Sequence, residues 1–484
     1  MSKNKSKSEE RKAERKRHPW RENIEALSMA IVVALVLKVF LLEVSKIPSG
    51  SMQPTLMGNP RVGVFDRVIV DKLSFQFRDP QRFEIVVFRH PLERSRNMVK
   101  RVVGMPEEWL KIEHGDVWVR PNPEAEWEVL RRSEAVQDDM WRELAVDSGL
   151  LSDWKSENAV GWRVDGDAIE ARGAGRAEFR PGSSVRNAYF DGYHEALAQK
   201  AGPMPPAAGE YPVGDLRLEF EAQVESSCSA LRIEFVEGLA TYTFELAGPA
   251  GSPAAPRVTI EDRSVRFDPE TNERLPTADR VVESEEPLAL EADEGYELAV
   301  ENLDDRLRLW VDDELVLEAE VDAIANPTSG LALELVGGGG EFEELWVARD
   351  VYYLAGSLPP EGIQIPAEHY FMLGDNTLDS ADGREWKQVR LAVEGEQGPI
   401  ELAGNFRGGN DPLDTNPYPP LAPSQEREVR FRDLWGERHL LAGRLAGELA
   451  GHHTVPRQLV QGRAVAIFWP IQPFTGVWRL GWIH

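Results

Sequence analysis

The chain has 484 residues, 42% of them hydrophobic, so it is long enough for two to four domains that each bury a core. Its formal net charge of −27 excludes nucleic acid as the partner, because phosphate binding needs a basic face. The single cysteine, Cys228, excludes an internal disulfide and has no catalytic motif around it; a small apolar core position near a strand start is expected for it.

Residues 1–21 hold nine basic and three acidic side chains, a local +6 in an acidic protein. An apolar run follows over residues 24–44, interrupted by Glu25, Lys38 and Glu43. As a helix rising ~1.5 Å per residue it would reach about 31 Å, close to the ~30 Å hydrocarbon core of a bilayer. No pair of small residues of the A-x-A kind follows the run. An uncleaved transmembrane helix over 23–44 is therefore expected rather than a cleaved leader. Positive-inside bias keeps the tail, residues 1–22, in the cytoplasm and puts the rest of the chain outside.

Next comes Ile47-Pro48-Ser49-Gly50-Ser51-Met52-Gln53-Pro54-Thr55-Leu56, in which a glycine separates two serines. The glycine lets the backbone turn sharply, exposing one hydroxyl and aiming the other, or a backbone N–H, at the same point. Strand-like segments rich in β-branched residues follow at 67–73, 84–89, 98–104 and 116–119, so 45–120 reads as the first part of an antiparallel β-domain. In a strand, Met98, Lys100 and Val102 share one face while Val99, Arg101 and Val103 share the other. One of the two cations then meets an apolar side. Lys100 is either an edge lysine that guards against aggregation or a buried lysine that loses its proton readily and can act as base toward a serine.

Residues 121–159 read as a helical or irregular connecting segment. From 160 to 350 a period of two dominates, clearest in Leu216–Val224 and in 231–235, 242–246, 307–311, 315–321, 331–335 and 342–348. Many short strands with one polar face predict an inserted, jelly-roll-like β-sandwich. Residues 309–317 resemble a strand–turn–strand of concanavalin-like jelly rolls. Trp310 and Trp346 are expected in the core, and a passive cap or interaction platform is favoured over carbohydrate binding, leaving room for a ligand of the sandwich.

An apolar strand at 370–373 runs into Gly374-Asp375-Asn376, then Ser380-Ala381-Asp382-Gly383-Arg384. The EF-hand pattern fails here, because the twelfth position from Asp375 holds no Glu. Residues 391–454 read as a second insertion: a Pro/Gly/Asn-rich linker at 404–425, a short helix at 438–449, and a solvated pair, His452-His453, rather than metal ligands.

Pro48-Ser49-Gly50-Ser51-Met52, Lys100-Arg101-Val102-Val103-Gly104 and Gly374-Asp375-Asn376…Ser380-Ala381-Asp382-Gly383-Arg384 resemble, in order, the conserved boxes of bacterial type I signal peptidases. Val455-Pro456-Arg457…Gly462-Arg463-Ala464…Phe468-Trp469-Pro470 is similar to that family's closing strand, placed here at 455–484. The resemblance covers roughly residues 18–120, 350–390 and 455–484, with 351–390 as the second part of the catalytic domain. It implies a mainly β, membrane-bound serine endopeptidase of the bacterial inner membrane, anchored by one helix, with its catalytic domain on the outer side. Its partners would be the signal peptides of preproteins and the lipid membrane, and it would need no metal or cofactor. Ser51 would be the nucleophile and Lys100 the neutral general base, with Ser380 orienting the lysine. The Ser51 N–H and the Ser49 hydroxyl would form the oxyanion hole, while Asp382 and Arg384, with Asp375 and Asn376, would support the site. Phe65, Phe83, Glu107, Glu108 and Gly383 depart from the family's pattern; they bear on turn geometry rather than on the reaction. The alternative is an inactive protease core that serves as a membrane-tethered binding or scaffold protein through its sandwich.

Overall fold

The structure is a computed structural model that describes residues 19–36, 42–59, 63–144, 153–156, 161–180, 182–193, 209–263, 279–324, 328–395, 398–405, 427–443, 445–472 and 477–483. Its central sheet is antiparallel and assembled from three distant parts of the chain. The strand order is Leu42–Lys46, Arg67–Asp71, Val460–Trp469, Ile85–His90, Glu93–Gly104, His369–Leu373 and Thr454–Pro456, with Gly481–Trp482 also pairing on Val460–Trp469. Glu93–Gly104 lies between two neighbours, which rules out the edge reading of Lys100.

Ile85–His90 explains why this sheet holds. Ile85 and Val87 pack with Met52, Leu56, Val68 and Val70 on one face, while Val86 and Phe88 pack with Val102, Tyr370 and Met372 on the other. The strand is apolar without alternation because both faces are covered. A smaller sheet beside it orders Ile363–Gln364, Trp109–Glu113, Asp116–Arg120 and Glu128–Val129.

The N-terminal helix runs Pro19–Val36, and residues 37–41 lie outside the described residues. The helix expected over 23–44 is corrected at its end: Leu42, Glu43 and Val44 are extended and pair with Asp71, Val70 and Ile69. Among the described residues no helix is long and apolar enough to cross a membrane.

The insertion forms two facing sheets. One orders Trp162–Asp165, Ala168–Ala171, Gly340–Arg349, Leu216–Val224, Gly295–Leu303, Arg306–Val311 and Glu314–Glu320. The other orders Trp154–Ser156, Gly175–Phe179, Ser329–Val336, Ala230–Glu237, Ala240–Ala247, Arg257–Asp262 and Arg280–Glu283. Leu218, Phe220 and Phe342 from the first sheet and Ile233, Phe235 and Phe244 from the second share one core, which Cys228 joins. Residues 121–159 are more than a connector. Arg142–Glu143 pairs with Gly340–Arg349, and Trp154–Ser156 pairs with Gly175–Phe179, which buries Trp154 with its ring 5.4 Å from Phe179. Trp310 is half-buried between the guanidinium groups of Arg217 and Arg308, at 4.9 and 4.8 Å, rather than in the core.

The helix expected at 438–449 is absent. Arg438–Gly443 pairs with Arg427–Arg432, and Leu445–Gly451 pairs with Lys387–Gly395, which also pairs with Gly398–Asn405. Gly443 and Gly447 weaken a helix, and sheet pairing prevails over the Leu/Ala content. Most of the 404–425 linker lies outside the described residues. His452 and His453 are half-buried rather than solvated. His453 Nδ1 lies 2.6 Å from the Gly383 carbonyl oxygen, and burial, helped by the neighbouring His453, pushes His452 down to about 4.

Two family departures carry strain. Phe83 and Glu107 sit at φ 69° and 71°, a left-handed backbone that costs a side-chain-bearing residue about 1–2 kcal/mol. Glu107 is exposed and donates its backbone N–H to the Ile365 carbonyl at 3.0 Å, a bond that glycine retains. Glu107→Gly is expected to stabilise the fold by about 0.5–1 kcal/mol, the strain relief less the extra entropy of an unfolded glycine. A rise in the urea midpoint at constant m-value would show it.

Candidate active site

Ser51 sits in a single 3-10 turn, Gly50–Met52, that follows the extended Ser49. The turn is fastened from several sides. Its apolar residue Met52 is 1% exposed and anchors it in the core beneath. Asn376 donates its backbone N–H to the Ser51 carbonyl at 3.2 Å and its Nδ2 to the Gly50 carbonyl at 3.0 Å. Arg479 donates to the carbonyls of Pro54 and Thr55 at 3.0 and 2.9 Å, and its Nε pairs with Asp66 at 2.9 Å. Asp66 also accepts from the Met57 N–H at 2.7 Å; burial raises this carboxyl above its usual value although Arg479 opposes the rise.

Lys100 projects from Glu93–Gly104 and is fully buried, with its Nζ hydrogen-bonded to Ser51 Oγ. Burial pushes the ammonium down to about 8, and the cations Arg384 and Arg96 push the same way, against the pull of the Asp382 and Asp375 carboxylates. The neighbouring Arg101 is fully buried as well, so both strand cations are inside. Its Nε and Nη2 pair with the two oxygens of Asp375 at 3.0 and 2.8 Å.

Gly374 explains how the third segment comes so close. A Cβ there would lie 2.2 Å from Ser380 Oγ and 2.3 Å from the Ser51 carbonyl oxygen, so only glycine fits. The Gly374 N–H donates to Asp382 Oδ2 at 3.0 Å, and Asp382 takes a two-pronged ion pair from Arg384 at 2.8 and 2.7 Å. Burial alone would raise Asp382, but Arg384 and Lys100 hold it below the usual carboxylate range.

The fold thus brings Ser51, Lys100, Ser380, Asp375, Asn376, Asp382 and Arg384 into one cluster. Ser380 is 9% exposed, and its Oγ has no hydrogen-bond partner among the described residues; the bond expected to Lys100 is not formed. Ser49 is exposed and its hydroxyl makes no capping bond to the turn. Sequence reasoning assigned no role to Asp66 or Arg479. Nothing in the local sequence, Phe65-Asp66-Arg67, marked the first as buried, and nothing in the spacing marked a partner 413 residues away. Two of the acyl-transfer ingredients are in place, a hydroxyl on a tight turn and a desolvated amine hydrogen-bonded to it.

The family model described as "Signal peptidase, peptidase S26" matches residues 20–161, which include Ser51 and Lys100 but not Ser380, Asp382 or Arg384. "Probable signal peptidase I-2" of Synechocystis sp. is 36% identical over 106 residues, 21% of this chain and 45% of that protein. "Signal peptidase I" of Leptolyngbya laminosa is 36% identical over 113 residues, covering 22% and 52%, and its Pseudomonas aeruginosa namesake is 42% identical over 88 residues, covering 16% and 29%. The chain therefore spans about half the length, or less, of these curated relatives. Among solved structures, "carbohydrate binding module CBM66 from Bacillus subtilis" aligns with 41% of this chain and 96% of its own at 13% identity and a TM-score of 0.23. With the Ser51 turn and Lys100 both inside the matched region, the chain carries a peptidase S26 segment and resembles the type I signal peptidases of bacteria.

Proposed function

We propose that the protein is a Ser/Lys endopeptidase that removes signal peptides from exported proteins. The carrying observation is the fully buried Lys100 hydrogen-bonded to Ser51 Oγ, where burial pushes the ammonium down to about 8. Neutral Nζ takes the Oγ proton as Ser51 attacks the scissile carbonyl, and the Ser51 N–H and Ser49 hydroxyl donate to the oxyanion. The resulting ammonium gives its proton to the leaving amine. Water, deprotonated by the neutral lysine in turn, then hydrolyses the acyl-enzyme. Asp382–Arg384 and Asp375–Arg101 fix the walls of the site, and Asn376 fixes the turn.

The membrane part of the reading rests on two exposed apolar surfaces. The helix Pro19–Val36 exposes Trp20, Ile24, Leu27, Met29 and Ile31 behind the basic tail. Across the central sheet, Val44, Ile69, Ala466 and Trp482 lie opposite one another in one row, with Val44 59% and Trp482 77% exposed. Both surfaces suit a lipid interface, with the helix anchoring the chain and the sheet face resting on the bilayer.

The test offers a purified preprotein to wild type and to Ser51→Ala in detergent. Cleavage by wild type alone is expected; cleavage that survives the substitution removes Ser51 from the reaction, and no cleavage by wild type favours the scaffold reading. Lys100 must be neutral to act, so kcat/KM is expected to rise about tenfold per pH unit and level off above about pH 8. A profile flat from pH 5 to 10 would speak against Lys100 as base.

A further inference from the structure

The insertion touches the nucleophile turn itself. Between its strands Gly175–Phe179 and Leu216–Val224 a loop carries Tyr189, Phe190 and Tyr193, whose rings meet edge to face: Tyr189–Phe190 at 5.3 Å and Phe190–Tyr193 at 5.4 Å. The hydroxyls of Tyr193 and, at 3.4 Å, of Tyr189 both donate to Gln53 Oε1. Gln53 is 1% exposed, its backbone N–H donates to the Gly50 carbonyl at 3.0 Å, and a Cβ on Gly50 would lie 3.0 Å from that same Oε1. The amide is therefore wedged beneath the Gly50–Met52 turn. Burial pushes the Tyr193 phenol above its usual value, so it remains a donor.

The loop is itself anchored. Asp191 pairs with Arg349 Nε at 2.6 Å in a buried ion pair, Arg349 also donates to the Ala188 carbonyl at 3.0 Å, and the Gly192 N–H donates to the Glu143 carbonyl at 2.8 Å. Gly192, at φ +76°, passes so close that a Cβ would lie 3.0 Å from both Pro54 Cγ and Arg142 Cδ, and Arg142 donates to Thr55 Oγ1 at 3.2 Å. Gln53, Pro54 and Thr55 are thus each held from the insertion side.

We propose that Tyr193, assisted by Tyr189, is a positioning residue for the nucleophile: through Gln53 the inserted sandwich sets the Gly50–Met52 turn, so that Ser51 is correctly placed only when the insertion is docked. The kinetic half of this inference rests on the proteolytic reading above. Without the phenol donors, the buried Gln53 oxygen is left unpaired and the amide seeks another seat, loosening the turn it supports. A displaced nucleophile lowers the rate without lowering affinity for an extended peptide held elsewhere.

The test compares full-length wild type, Tyr193→Phe, Gln53→Met and the double variant, by preprotein cleavage and by amide hydrogen exchange without substrate. For Tyr193→Phe, kcat per active site is expected to fall about tenfold, with KM within twofold and the pH limb near 8 unmoved, since Lys100 is untouched. Exchange at the 50–53 amides is expected to quicken about tenfold while the sandwich strands keep their protection. Because the two residues act through one contact, the double variant is expected to lose no more than the worse single one. A kcat within twofold of wild type, losses that multiply in the double variant, or exchange that quickens across the whole sandwich would each overturn the proposal. If wild type cleaves no preprotein, the proteolytic reading fails separately, and the exchange measurement alone decides: faster exchange confined to 50–53 upholds the clamp, and unchanged exchange overturns it.

Discussion

Lys100→Met is expected to lower kcat/KM by about 10³-fold or more while leaving the protein folded and more stable at neutral pH. On the proposed mechanism the substitution removes the base toward Ser51, an effect of about 10²–10⁴ for general bases and larger where nucleophile and base act as a unit. The stability gain follows from burial. Lys100 is fully buried, and methionine fills nearly the same volume without a charge to desolvate. Its folded value, about 8, lies below the ordinary 10.5, so between those values the unfolded chain binds the extra proton. Wild-type stability therefore climbs as pH rises through about 8 to 10.5, and below 8 the folded state carries the full penalty, on the order of 3 kcal/mol. The variant lacks that penalty, so its advantage in urea unfolding is expected to be largest at pH 7 and to vanish above about pH 10. A rate loss under tenfold would take Lys100 out of the chemistry, and an advantage that does not change with pH would mean that the lysine is not buried as a strained cation.

The parts of this site that were legible in sequence are those whose chemistry is local. Two serines around a glycine announce a turn, and a lysine among β-branched residues announces an unusual cation. Gly374-Asp375-Asn376 after an apolar strand announces a turn, but the close approach that needs Gly374 shows only in the structure. The sandwich was legible for a different reason, since one covered face per sheet imposes period two on Leu216–Val224 and its neighbours. Errors arose where hydropathy does not separate strand from helix. Leu42 and Val44 extend the apolar run of the helix, yet pairing with Asp71 and Ile69 makes them a strand. Leu441, Ala442 and Leu445 suggested a helix where two strands form. Period two required only one of Lys100 and Arg101 to face an apolar side; both are buried, because the sheet is covered on both faces and Arg101 finds Asp375 across 274 residues. The bonds from Tyr193 and Tyr189 to Gln53 join segments whose patterns carry no trace of each other.

Asp375→Ala is expected to cost about 3–5 kcal/mol of stability. Arg101 and Asp375 are both fully shielded from solvent, so removing the carboxylate leaves a guanidinium buried without its counter-charge. Arg101 also donates its Nη1 to the Phe83 carbonyl at 2.9 Å and so holds a residue kept at φ 69°; the freed side chain would pull on that strain as well. Burial alone would raise Asp375, but Arg101 holds it below its ordinary 3.8. A depressed carboxyl contributes stability above its unfolded value and loses it as pH falls through the folded one. The gap between wild type and Asp375→Ala is therefore expected to be constant from about pH 5 to 9 and to close below about 3.8. Arg101→Met with Asp375→Leu removes both charges and is expected to recover most of the stability, because a well-packed apolar pair avoids the desolvation of two ions. Activity is expected not to recover with it. Asp375 precedes Asn376, whose two donors hold the carbonyls of Gly50 and Ser51, and its carboxylate accepts from the Thr55 hydroxyl, so the pair fixes the turn as well as the core. Urea unfolding and kcat measured on the same three variants separate the two roles: stability and rate that return together would reduce the pair to a packing element, whereas stability without rate would make it part of what aims Ser51.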